Sequence, residues 1–182
     1  MKIIDNFLSI YEKNLTEGIL LDRIFPWYFK PNTVDERDFT SIKTNKHNLK
    51  IRDNNYFYHV FYQENKISSN YYEYIKNILD KSQIKFKNVV RIKANYLLKS
   101  DFKEDEMLPP HVDGYADNMY SFIYFVNDSD GDFRLFDNNL KVVKKIKPKK
   151  GQGVLFKSNM YHCGSCPVKN DYRLNINFVI EV

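Results

Sequence analysis

The chain has 182 residues, 43% hydrophobic and 16% aromatic, enough for one self-sufficient core that buries roughly two-thirds of the surface exposed on unfolding. Two cysteines, Cys163 and Cys166, are too few for a disulfide framework, and no apolar run approaches the roughly 18 residues of a membrane span. The formal charge of +5 owes much to Lys141, Lys144, Lys145, Lys147, Lys149 and Lys150, which read as a solvated strand face rather than a nucleic-acid groove. The amino terminus lacks the apolar core of a signal peptide, so the sequence reads as cytoplasmic, with no membrane partner.

In chain order, the first element is a helix, with Asn14 and Glu17 as its capping box ahead of Ile19, Leu20, Ile24 and Phe25, and Pro26 as its stop. Residues 30–55 are polar and read as loop, while the aromatic run 56–62 favours a strand. A second helix is marked by Asn70 and Glu73 in capping positions and by an apolar stripe at Tyr71, Tyr74, Ile75, Ile78 and Leu79, suited to packing across a sheet. From residue 86 the pattern changes to short strands over 88–98, 111–115, 120–127, 132–137, 141–146, 153–157 and 173–180. Asp130-Gly131 is a hairpin signal and 137–139 a further turn. Many short strands with helices gathered at one end predict a mainly β (α+β) chain: a jelly roll over 86–182 with helical support over 1–85, forming one domain over 1–182.

Chemistry concentrates at His111-Val112-Asp113. On an extended chain, side chains two apart leave the same face, so an imidazole and a carboxylate converge. The only downstream histidine, His162, supplies a third ligand, and two histidines with one carboxylate suit a non-haem iron centre with open positions. In 173–178, Arg173, Asn175 and Asn177 share one face and Leu174, Ile176 and Phe178 the other. A guanidinium pointing into a barrel requires an anion, and a dicarboxylate supplies one.

These motifs, with Asp130-Gly131-Asp132-Phe133, Gly153-Val154-Leu155-Phe156 and the phrase Arg91-Ile92-Lys93-Ala94-Asn95, resemble the prolyl 4-hydroxylase-like branch of the 2-oxoglutarate and Fe(II)-dependent oxygenases, in its small phage and bacterial type. The resemblance implies a double-stranded β-helix, cupin-like in outline, located in the host cytoplasm if phage-encoded. It implies Fe(II) held by His111, Asp113 and His162, and 2-oxoglutarate held by Arg173, with dioxygen consumed and ascorbate an optional addition. Asn175, Asn95, Tyr96 and Tyr124 are further cosubstrate contacts on the same ground. The implied reaction is hydroxylation of an unidentified substrate, a peptidyl residue or small metabolite, coupled to decarboxylation of 2-oxoglutarate. Close prolyl hydroxylases carry Lys where Arg173 stands, so the substrate class does not transfer with the fold.

Two other readings compete. One is a catalytically inactive jelly-roll binding or structural module. The other is a nucleic-acid modifying oxygenase, for which a second Arg would be expected six residues past Arg173, where Val179 stands; nucleic acid is therefore not an expected partner. The Cys163-Gly164-Ser165-Cys166 motif does not open a helix, as a redox dithiol should. Asp128, Asp130 and Asp132 fit a turn better than a calcium loop, and His47 and His59 read as solvated and packed.

Overall fold

The computed structural model describes residues 1–33 and 49–182; most of the predicted 30–55 loop, with His47, lies outside the described residues. In chain order the elements are β1 (Lys2–Ile4), α1 (Ile10–Leu20), β2 (Tyr28–Lys30), β3 (Lys50–Ile51), β4 (Tyr56–Gln63), β5 (Lys66–Ile67) and α2 (Tyr72–Lys81). There follow β6 (Asn88–Leu98), β7 (Glu106–Met107), β8 (Met119–Phe125), β9 (Phe133–Phe136), β10 (Val142–Ile146), β11 (Gly153–Lys157), β12 (His162–Gly164) and β13 (Tyr172–Glu181).

Among the described residues, the large sheet runs β1-β11-β8-β13-β6-β4-β2 with β5 on β4, and a smaller sheet runs β10-β9-β12. Strand periodicity explains the layering. Phe122, Tyr124, Leu174, Ile176 and Phe178 project from one face of the large sheet into a core completed by Leu20 of α1 and Ile75, Ile78 and Leu79 of α2. Their neighbours Ile123, Phe125, Val154 and Phe156 project from the other face and pack on Phe133, Leu135 and Ile146 of the smaller sheet. Two facing antiparallel sheets, the larger backed by helices, make the predicted jelly roll. None of the described helices is long and apolar enough to cross a membrane.

Several boundaries differ from the sequence reading. Helix α1 begins earlier, because Ser9 and Glu12 form the capping box: the Ser9 hydroxyl accepts from the Glu12 amide, and the Glu12 carboxylate accepts from the Ser9 amide at 2.9 Å. Asn14 and Glu17 instead receive Lys150 Nζ. At α2 Ile75, Ile78 and Leu79 of the predicted stripe are buried and Tyr71 and Tyr74 are half-buried, but the N-cap is Tyr71, which makes no side-chain cap bond. The first 85 residues are more than helical support, since β1, β2, β4 and β5 extend the large sheet.

Asp130-Gly131 does not close a hairpin, because β8 pairs with β11 and β13 whereas β9 pairs with β10 and β12; the turn carries the chain between sheets. Asp130 is used there as an acceptor for the amides of Val168, Lys169 and Asn170, which accounts for it without a cation. The 137–139 turn does join paired strands, β9 and β10.

Candidate active site

Residues 111–115 form no strand. His111 makes a single bridge to His162 of β12, with reciprocal backbone hydrogen bonds of 2.9 Å, and the Asp113 amide donates to the Ser158 carbonyl at 2.9 Å. The convergence expected of an extended His-x-Asp is thus achieved by an irregular segment pinned at both ligands. One ligand atom from each of His111, Asp113 and His162 lies within 4.8 Å of the others, an arrangement that can hold one metal ion. His162 Nε2 stands 3.4 Å from Asp113 Oδ2.

The imidazoles are oriented for that task. His111 Nδ1 lies 3.2 Å from the Pro109 carbonyl and His162 Nδ1 lies 3.1 Å from the Met160 carbonyl. A carbonyl only accepts, so each Nδ1 carries the proton and each Nε2 offers its lone pair to the centre. Burial, helped by the neighbouring His162, pushes the His111 imidazolium down to about 3, which leaves the ring neutral and ready to ligate at ordinary pH.

Asp113 is held more tightly than either histidine. Its Oδ1 accepts from Arg91 Nη2 at 2.6 Å and its Oδ2 from Ser121 Oγ at 2.7 Å, while Asn177 Nδ2 lies 3.1 and 2.9 Å from the two oxygens. Burial alone would raise its carboxyl. The adjacent His162, with Arg91 and His111, outweighs burial and holds the group well below the usual carboxylate range, so it is ionised.

A cavity of about 90 Å³ opens over these ligands, lined also by Lys93, Asn95, Phe133, Gly164, Arg173 and Asn175. Arg173 is only 3% exposed, yet its guanidinium makes no ion pair or hydrogen bond among the described residues, and its buried Nε is without a partner. Burial lowers its pKa. Leaving a guanidinium in this state is costly unless an anion completes it. Gly164 provides the room: a Cβ there would lie 2.9 Å from Arg173 Cζ and nearer still to Nη1. Between Arg173 and the metal ligands, Asn95 Nδ2 donates to Asn175 Oδ1 at 3.0 Å.

Two predicted cosubstrate contacts are corrected. Tyr124 is fully buried in the helix-side core and Tyr96 packs on Trp27, Phe57 and Tyr172; both project from the face of the sheet opposite the cavity. Asn95 and Asn175, from the same strands as Tyr96 and Arg173, do line it. Sequence reading gave no role to Arg91, Lys93, Ser121 and Gly164. The free thiols are structural: burial pushes Cys163 up to about 12, and Cys166 packs with Leu97, Phe102 and Leu108 while accepting from Asn54 Nδ2. His59 is buried, with Nδ1 on the Pro26 carbonyl.

Residues 94–181 match the family model of the 2OG-Fe(II) oxygenase superfamily. Over those residues the chain is similar to that superfamily. Among solved structures, an oxidoreductase of the 2OG-Fe(II) oxygenase family from Burkholderia pseudomallei is 13% identical with a TM-score of 0.67, over 96% of this chain and 81% of that one. The non-heme alpha ketoglutarate dependent epimerase SnoN from nogalamycin biosynthesis is 10% identical with a TM-score of 0.62, over 98% and 77%. The viral collagen prolyl hydroxylase vCPH from Paramecium Bursaria Chlorella virus-1 is 15% identical with a TM-score of 0.50, over 100% and 95%. At these identities the likenesses establish the jelly-roll fold. No curated protein matches the chain.

The match to the oxygenase superfamily implies Fe(II) and 2-oxoglutarate, and the residues present fit both. Two imidazoles and one carboxylate form a donor set typical of Fe(II) oxygenases, and Arg173, uncompensated among the described residues, answers to a carboxylate.

Proposed function

We propose that this protein is a 2-oxoglutarate-dependent oxygenase, a hydroxylase in which His111, Asp113 and His162 hold Fe(II) and Arg173 receives the 5-carboxylate of 2-oxoglutarate. The observation that carries the reading is the unpartnered Arg173 guanidinium, set in the same cavity as a complete His/Asp/His triad. When bound, the iron and its cosubstrate supply the oxidising power for inserting an oxygen atom from dioxygen into a C–H bond.

The chain's own residues position and exclude. Arg91, Ser121 and Asn177 fix the Asp113 carboxylate, while the Pro109 and Met160 carbonyls fix the two rings. Phe133 and Phe156 pack against the His162 ring and keep water from that side. Asn95 and Asn175 line the path between the ligands and Arg173, where their amides suit a polar cosubstrate.

The test is succinate release from 2-oxoglutarate after anaerobic loading with Fe(II) and admission of oxygen, comparing wild type with His162→Ala and Arg173→Ala. Slow release by wild type, lost in His162→Ala and recovered in Arg173→Ala only at much higher 2-oxoglutarate, is the expected pattern. Release unaffected by His162→Ala would remove the reading. Metal-dependent binding of 2-oxoglutarate with no release at all, even with candidate substrates, would favour a binding module that keeps the pocket.

A further inference from the structure

The cavity holds a second cation that no described residue pairs with. Lys93 lines the pocket from β6, and its ammonium makes no hydrogen bond or ion pair among the described residues; it lies over the Tyr56 ring, 5.7 Å from Nζ to centroid, and feels Asp113 only at longer range. Among the described residues Asp113 is the only carboxylate lining the cavity, and it is already engaged by Arg91, Ser121 and Asn177.

Among the described residues, Asp113 is thus the one carboxylate for three cations: Arg91, which binds it from outside the cavity, and Lys93 and Arg173, which line it. A ferrous ion and a dianionic cosubstrate cancel one another in charge and leave that excess standing. Nor can one carboxylate satisfy both free cations. In the β6–β13 register Lys93 lies opposite Asn177 while Arg173 lies opposite Leu97. The two rungs are four residues apart, about 13 Å along the strands.

We propose that Lys93 is a specificity residue that receives a carboxylate of the substrate, so that the molecule hydroxylated is a small carboxylic acid. This deepens the reading under Proposed function and rests on it. A small acid brings in the negative charge that the metal site and cosubstrate leave wanting.

The test is thermal unfolding of the protein loaded with Mn(II), a redox-silent stand-in, and saturating 2-oxoglutarate. Acetate is the carboxylate probe, with acetamide and sodium chloride of equal ionic strength as controls. At about ten times its Kd, acetate should raise the midpoint of wild type by about 3–6 °C over both controls. Lys93→Arg should keep the effect and Lys93→Met should lose it, with the Kd for 2-oxoglutarate in Lys93→Met within about threefold of wild type. Unloaded Lys93→Met should unfold no lower than wild type, since it loses only an unpaired charge.

The proposal is overturned if acetate gives no saturable rise in wild type, or the same rise in Lys93→Met. It is equally overturned if Lys93→Met weakens 2-oxoglutarate tenfold or more, which would assign Lys93 to the cosubstrate's own 1-carboxylate. Failure of wild type to bind 2-oxoglutarate with Mn(II) would instead sink the hydroxylase reading itself, and this one with it.

Discussion

Gly164→Ala separates a role in binding from a role in folding. Gly164 lies on β12, where its φ is unexceptional, so alanine meets no backbone penalty. Its Cβ would stand 2.9 and 3.0 Å from Arg173 Cζ and Nη2 and closer to Nη1, so the guanidinium must retreat by about 1 Å to reach ordinary van der Waals distance. Because the displaced group is the far end of a flexible side chain, the fold should yield cheaply, with a midpoint change within about 2 °C. A displaced guanidinium loses its alignment with a carboxylate, and a hydrogen bond to a charged group contributes about 1.5–3 kcal/mol. The Kd for 2-oxoglutarate should therefore rise about 10- to 150-fold, measured calorimetrically with Mn(II), while Mn(II) binding alone is unchanged. An unchanged 2-oxoglutarate Kd would refute the assignment of Arg173. Gly131→Ala is the contrast: its Cβ would meet the Ser165 carbonyl oxygen at 2.6 Å and Pro167 N at 2.9 Å, backbone that cannot step aside, so it should cost stability without a selective effect on 2-oxoglutarate.

Asp132→Ala should destabilise strongly, because Arg134 Nε reaches Asp132 Oδ1 at 2.8 Å with both side chains under 10% exposed, and removing one partner strands a buried charge. A loss of about 3–5 kcal/mol is expected, seen as a midpoint about 6–20 °C lower by calorimetry; a fall below about 2 °C would show that water and the Glu104 and Asp105 carbonyls, which Arg134 also reaches, compensate. The metal-free protein should also lose stability in acid through His111, whose folded-state value of about 3 lies below the ordinary 6.5. The unfolded chain takes up this proton first, so the contribution is complete above pH 6.5 and disappears as pH falls toward 3, by at most about 1.4 kcal/mol per pH unit. Denaturant titrations at pH 6, 5 and 4 should show a shallower loss in His111→Gln; identical slopes would contradict it.

The jelly roll was legible because alternation in β8, β11 and β13 sorts side chains to two faces, and because β6 and β11 are bounded by turn residues. Less legible was the N-terminal third. β1, β2 and β5 are two or three residues long, too short to show a period, and they are strands only because the large sheet offers them an edge. The helix α1 boundary was misplaced because two capping patterns of identical spacing compete, and Asn14 and Glu17 are drawn instead to Lys150, a residue distant in sequence.

Within the site, the residues overlooked on β6 carried the same signal as those found on β13. Arg91, Lys93 and Asn95 alternate with Ile92 and Ala94 just as Arg173, Asn175 and Asn177 alternate with Leu174 and Ile176. A polar stripe on one strand can simply face water. Two such stripes on paired strands, with Lys93 opposite Asn177 and Asn95 opposite Asn175, cannot both be solvated when Ile92, Ala94, Leu174 and Ile176 behind them are fully buried and a second sheet lies in front. Strand pairing is the information that one sequence does not carry, since nothing local says that β13 lies between β6 and β8. Once it is known, the paired stripes form one wall of the cavity, and its charges become a statement about ligands: Arg91 is answered by Asp113, and Arg173 and Lys93 are left for molecules that bring their own carboxylates.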